Sequence, residues 1–124
     1  MAVAQPVPAA TWALVAAGGA VGAVLRYAVA QWVGRQSGGG WPWGTLAVNA
    51  SGCFALGWLD ARHLETWAYA LLAVGGVGAY TTFSTFAYET LAALEARAWK
   101  VAWTNVGASV LLGALAYLGG RLCG

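Results

Sequence analysis

One segment limits what this chain can fold into more than any other: Gly75-Gly76-Val77-Gly78-Ala79-Tyr80-Thr81-Thr82-Phe83-Ser84-Thr85-Phe86. It lies inside an apolar stretch long enough to cross a membrane. Glycines and a run of hydroxyls are poor material for a lipid-facing helix. Hydrocarbon cannot satisfy loose backbone groups, so irregular main chain at membrane depth survives only inside protein or beside a polar pathway. A break there points to an ion or substrate site.

A membrane setting follows from composition. The chain is 60% hydrophobic and 8% charged, against about 25% charged residues in an average soluble domain. The net charge of +2 is small and its Lys and Arg are scattered, which excludes a nucleic-acid footprint. Cys53 and Cys123 are read as free thiols, since two cysteines without a loop-rich secreted context make no disulfide framework. His63 is the single histidine, so no metal-ligand spacing exists. Residues 1–10 hold no Lys or Arg, and a cleavable signal would want a positive start. The first apolar run is therefore expected to be a retained helix.

A spanning helix needs about 20 largely apolar residues. Four stretches fit, at about 9–32, 43–59, 66–94 and 101–118, with the third interrupted near 75–82. The connections 34–42, 60–65 and 95–100 are short, which favours antiparallel neighbours. The expectation is an all-α integral membrane fold with four transmembrane helices and a broken third one, as a single domain over residues 1–124. Trp32, Trp41, Trp43, Trp58, Trp67, Trp99 and Trp103 fall near span ends, as an interfacial aromatic belt requires.

Charge gives little orientation. Arg62 and Arg121 share one side, and Arg35, Arg97 and Lys100 the other. So weak a positive-inside bias permits insertion both ways, or one orientation modestly preferred. Four helices enclose little space, so a pathway calls for a partner copy. The pairs Gly18/Gly22 and Ser109/Gly113 allow close helix approach, either at a dimer seam or within one bundle.

Several residues are candidates for chemistry. Gly18-Gly19-Ala20-Val21-Gly22-Ala23 has the look of a nucleotide loop but no preceding strand, so close helix packing is the better reading. Arg26, placed near the end of the first span, either snorkels to the interface or faces a cavity. Asn49 lies mid-span, as an interhelical hydrogen-bonding group or as a donor to a passing anion, with Thr45 one turn earlier on the same face. Phe83 and Phe86 share a helix face, as core or as rings presenting their positive edges to an anion. Ser84 and Thr85 add hydroxyls. Thr82, Thr85 and Glu89 form a polar stripe, in which Glu89 either sits at the interface or pairs with an arginine. If 75–81 unwinds, its carbonyls suit a hard cation such as Na⁺; otherwise the glycines line a packing groove.

Three blocks together resemble the CrcB/Fluc family of fluoride channels: Gly18-Gly19-Ala20-Val21-Gly22-Ala23-Val24-Leu25-Arg26-Tyr27, Gly44-Thr45-Leu46-Ala47-Val48-Asn49-Ala50-Ser51-Gly52-Cys53-Phe54, and Gly75 through Glu89 with its Thr-Thr-Phe-Ser-Thr-Phe core. The fourth span, with Asn105 and Ser109, matches loosely. The resemblance implies an antiparallel, dual-topology homodimer with two fluoride pores in a prokaryotic inner membrane, conferring fluoride resistance. It implies a structural Na⁺ held by the Gly78 and Thr81 carbonyls of each copy. Phe83 and Phe86 would line the pores, with Asn49, Thr45, Ser84, Thr85 and Ser109 along the pathway. Arg26 and Glu89 would stand at the vestibule. The expected partners are fluoride, Na⁺, membrane lipid and a second copy.

Two other readings compete. A small proton-coupled multidrug exporter needs a carboxylate in the first span, and the acids here are Asp60, Glu65, Glu89 and Glu95. A non-transporting assembly subunit leaves the hydroxyl run and Asn49 without a task. No nucleophile–base pair or nucleotide loop suggests an enzyme.

Overall fold

The computed structural model describes residues 7–124, and these are helical with no strand among them. The first helix, α1, is Ala9–Gln36. After a turn in which Gly38, Gly39 and Gly40 all take positive φ, a conformation cheap only for glycine, α2 runs Trp43–Ala61. The third helix, α3 (66–80), is continuous through Thr66–Tyr69, a π-helical stretch Ala70–Val77, and Gly78–Tyr80. Residues 81 and 82 are extended, and α4 follows as Phe83–Glu95. The last helix, α5, is Trp99–Cys123.

By length and apolar content together, three stretches can cross a membrane: Ala9–Gln36, Thr66–Glu95 and Trp99–Cys123. The expected second span, α2, has 19 residues. Thr45, Asn49, Ser51 and its glycines dilute its apolar character. Burial explains this, because Gly44, Thr45, Leu46, Val48, Gly52, Gly57 and Leu59 face protein. The first and last helices also run past the ends expected for them. Helical hydrogen bonding continues beyond the point where side chains stop being apolar.

Glycine seams hold the helices together. A Cβ on Gly18 or Gly22 would collide with the carbonyls of Leu71 and Gly76, both in the π stretch of α3. On the other side of α2, Gly57 meets the Tyr117 carbonyl and Gly120 the Phe54 carbonyl in the same way. So close an approach of backbones, with Cα–H groups against carbonyl oxygens, is how helices gain contact where lipid offers no hydrophobic drive. Gly18 and Gly22 therefore work within the bundle, joining α1 to α3.

Each end of the bundle is tied by polar groups. At one end Asp60 accepts hydrogen bonds from the Tyr69 hydroxyl at 3.0 Å and the Tyr117 hydroxyl at 2.8 Å. At the other, the Trp41 indole N–H donates to Thr104 at 3.0 Å. Trp32, Trp43, Trp67, Trp99 and Trp103 are exposed, as an aromatic belt requires, and Arg62 lies 4.4 Å over the Trp58 ring. Both cysteines are free thiols.

Candidate functional site

The break in the third span is narrower than the sequence suggests. Its glycines do not unwind: Gly75 and Gly76 lie in the π stretch and Gly78 is helical, at φ −59° and ψ −40°. Their smallness serves close contact with α1 instead. The chain opens only at Thr81 (φ −79°, ψ 160°) and Thr82 (φ −147°, ψ 116°). β-branched residues tolerate extended backbone well, and threonine brings a hydroxyl to satisfy it.

The hydrogen-bond accounting at the break is nearly complete, as buried main chain demands. The Thr81 N–H and hydroxyl both donate to the Val77 carbonyl, at 3.0 and 3.1 Å. The Thr82 N–H donates to Asn49 Oδ1 at 2.7 Å, and Asn49 Nδ2 donates to the Thr82 carbonyl at 2.9 Å. Thr82 Oγ1 caps α4 by accepting from the Thr85 N–H at 3.2 Å. Arg26 Nη1 donates to the Thr81 carbonyl at 3.4 Å. Gly52 lets α2 come this close, since a Cβ there would strike the Thr81 methyl.

Of the two places the sequence left open for Arg26, the structure shows the cavity: the residue lies well inside α1, ten residues before the end at Gln36, and borders a cavity with its guanidinium on the Thr81 carbonyl. Glu89 makes no arginine pair among the described residues. Its Oε1 accepts from the Thr45 hydroxyl at 2.8 Å, and Oε2 is buried with no hydrogen-bond partner.

α4 carries two distinct faces. Phe83 and Phe86, with ring centroids 5.8 Å apart and planes at 51°, line a cavity of about 390 Å³ together with Asn49, Thr81, Thr82 and Ser109. The polar stripe meets that cavity only at Thr82 and otherwise lies on another face. Thr82 and Thr85 border a cavity of about 230 Å³ with Arg26, Tyr27 and Thr45. Thr45, Thr85 and Glu89 also line a third, of about 300 Å³, rimmed by Trp41 and Trp43. Ser84 is exposed and borders none of these three. Its hydroxyl lies 3.4 Å from that of Thr82.

Three contributions were missed from sequence. Cys53 lines the larger cavity, which its place one turn after Asn49 would have signalled. The Tyr80 and Ser51 hydroxyls are 2.9 Å apart, bracing α3 just before the break. Thr90 accepts from Asn105 Nδ2 at 3.0 Å, and no local pattern announces that pairing.

For a cation, the donor set is main-chain oxygen. Among the described residues no cluster of three His, Cys, Asp or Glu side chains could bind a metal. Regular helix geometry would direct the Thr82 N–H to the Gly78 carbonyl, but that N–H goes to Asn49. The Gly78 carbonyl is thereby released, on an exposed residue. With the Thr81 carbonyl, which accepts from Arg26, it places two main-chain oxygens at the break.

The class these features define is an all-helical, multi-pass membrane protein with its polar groups gathered at a helix break. The chain belongs to the CrcB family, whose model, described as CrcB-like protein, Camphor Resistance (CrcB), matches residues 13–121. A protein of Caulobacter vibrioides named fluoride-specific ion channel FluC is 47% identical over 116 residues, covering 88% of this chain and 91% of the relative. One of the same name from Magnetococcus marinus is 48% identical over 123 residues, covering 89% and 97%. A third, from Thermus thermophilus, is 46% identical over 116 residues, covering 90% and 91%.

Proposed function

We propose that this chain is a fluoride channel of the bacterial inner membrane, letting fluoride leave the cell passively. The observation that carries the reading is near-full-length similarity, at 46–48% identity, to relatives named fluoride-specific ion channels rather than enzymes. The site's chemistry supports it. Fluoride is small and strongly hydrated, so its water must be replaced by many donors. The cavity beside the break offers the Ser109 hydroxyl, the edges of Phe83 and Phe86, and an Asn49 amide with a second N–H beyond the one given to Thr82. Thr45, Thr85 and the Arg26 guanidinium border the adjoining cavity. An inside-negative potential favours outward movement of an anion by about 2.3 kcal/mol per 100 mV, so no coupling machinery is needed.

In this reading all four helical units span the membrane as one domain. At about 1.5 Å per residue, the 19 residues of α2 reach about 28 Å, close to the hydrocarbon thickness of about 30 Å. α2 also joins the same two polar-tied ends as its neighbours. Two oppositely inserted copies then pair and surround two pores. In a single copy Phe83 is 79% exposed, more than a pore lining needs to be, and a second copy would cover it. The Gly78 and Thr81 carbonyls of both copies would hold a central Na⁺, which supplies positive charge that draws four oxygen dipoles together.

The exporter alternative lacks its carboxylate, since α1 contains no Asp or Glu. Reconstitution tests the reading: liposomes loaded with potassium fluoride or potassium chloride are diluted into buffer holding an impermeant anion, a potassium ionophore lets K⁺ leave with the anion, and each ion is followed with a selective electrode. Fluoride should escape and chloride stay. Equal release of both, or of neither, rules out the selective channel. Labelling of exposed Cys123 from both faces of the membrane would support dual insertion; labelling from one face alone would end it.

A further inference from the structure

No residue of α4 is fully buried, so apolar packing within the chain constrains this helix weakly. Two side-chain bridges from adjacent positions hold it instead. Glu89 Oε1 accepts from Thr45 on α2 at 2.8 Å. Thr90 Oγ1 accepts from Asn105 Nδ2 on α5 at 3.0 Å. Asn105 is only 1% exposed. With 3.6 residues per turn, neighbouring side chains point about 100° apart. The two bridges therefore pull in different directions and fix the rotation of α4 about its own axis.

That rotation bears directly on the rings. Phe83, Phe86 and Thr90 stand at i, i+3 and i+7 and share one face. Thr90 donates to the Phe86 carbonyl at 2.8 Å. Ser109, which lines the same cavity as Phe86, donates to Asn105 Oδ1 at 3.5 Å. A hydrogen-bonded chain thus runs from the cavity wall on α5, through Asn105 and Thr90, to the turn that carries Phe86.

We propose that Asn105, acting through Thr90, is a positioning residue that sets the angle of α4 and hence the presentation of Phe86 to the ion. The proposal rests on the fluoride-channel reading and gives the last helix a task within it. A ring stands about 6 Å from its helix axis, so a turn of about 20° displaces it by about 2 Å. A displacement of that size separates a ring edge in contact with a small anion from one that misses it. Asn105 suits the task because its amide donates to Thr90 while its oxygen is occupied by Ser109.

Liposome efflux of fluoride and chloride, with elution volume in detergent measured in parallel, tests the role. Thr90→Val is isosteric and removes the acceptor. Thr90→Ser keeps both hydrogen bonds and loses only a methyl group. Asn105→Ala removes the donor. Thr90→Val and Asn105→Ala should slow fluoride efflux roughly three- to tenfold, the weight of one buried hydrogen bond, with unchanged elution. Thr90→Ser should stay within about twofold of the parent. Parental flux in Thr90→Val overturns the proposal, as does equal slowing in Thr90→Ser. Loss of assembly in Thr90→Val would make the pair a folding contact and also overturn it. An unmutated control that releases no fluoride sinks the channel reading itself, and is read separately from any difference among the variants.

Discussion

The side-chain amide of Asn49 and the main chain of Thr82 form a closed pair, with the Thr82 N–H donated to Oδ1 at 2.7 Å and Nδ2 donated to the Thr82 carbonyl at 2.9 Å. A side chain on α2 thus does for the break what a neighbouring strand does for a sheet edge. It satisfies both main-chain groups of the most irregular residue in the span, where lipid could satisfy neither.

Asn49→Ala should therefore cost stability as well as conduction. An unsatisfied buried polar group costs about 1–3 kcal/mol, and this change orphans two. Asn49→Asp is the informative companion. It keeps the acceptor for the Thr82 N–H but loses the donor and places a negative charge beside the cavity. Thermal unfolding in detergent should rank the parent above Asn49→Asp and that above Asn49→Ala. Fluoride efflux should be abolished in both. An Asn49→Ala protein as stable as the parent would show that water replaces the amide.

The seam between α1 and α3 makes a sharper stability prediction. A methyl at Gly22 would collide with the Gly76 carbonyl, and one at Gly18 with that of Leu71. Backbone cannot move aside as a flexible side chain can, so Gly22→Ala should destabilise by about 1–3 kcal/mol, the range for overpacking. Gly107→Ala is the control, because nothing lies within 4 Å of a Cβ there. Melting curves of the two variants should separate, with only Gly22→Ala shifted down.

Hydrophobic runs marked out the helices to within a few residues, because a membrane-spanning helix must be both long and apolar. Its charged and glycine-rich turns were equally plain. The face shared by Phe83 and Phe86 was legible too, since it needs only helical spacing. What sequence could not fix was the exact place of the break. Glycine signals both unwinding and close approach, and here contact with α1 decides for approach. Nor could it tell that Arg26 reaches Thr81, 55 positions away, or that Glu89 takes Thr45 as its partner. Those pairings depend on how helices cross, which periodicity along one helix does not encode.

The two rings invite a direct test. Phe83→Ile and Phe86→Ile keep apolar bulk but remove the positive ring edge, the part of the quadrupole that attracts an anion. Fluoride efflux should fall in both while elution in detergent stays unchanged. Ser84→Ala supplies a contrast, because Ser84 is exposed and borders none of the three cavities. Its flux should change less than that of either ring variant. A larger loss in Ser84→Ala would place the pathway along the other face of α4.

Asp60 makes a prediction about stability alone. It takes two tyrosine hydroxyls and so joins α2 to α3 and α5 at one end of the bundle. Hydrogen bonds to a charged group are worth about 1.5–3 kcal/mol each when buried, and less where solvent reaches them. Asp60→Ala should lower the unfolding temperature while sparing the fluoride-to-chloride ratio, since Asp60 borders none of the three cavities. A changed ratio would mean that the tie sets the position of the break from a distance.

Arg26 stands where two demands conflict. Its guanidinium shares the Thr81 carbonyl with the Na⁺ proposed above, and among the described residues it is the only fixed cation on the wall of the cavity it borders. A fixed positive charge at this place attracts fluoride and repels Na⁺, and does so more strongly than it would in bulk water. Arg26→Gln retains a donor for the carbonyl and removes the charge. Fluoride efflux should fall by about tenfold, while the Na⁺ concentration needed to hold the assembly together should drop. Arg26→Lys, keeping the charge, should restore most of the flux and the parental Na⁺ requirement. If Arg26→Gln conducts at the parental rate, the guanidinium serves only to hold the Thr81 carbonyl, and the field of the cavity comes from its hydroxyl and amide dipoles.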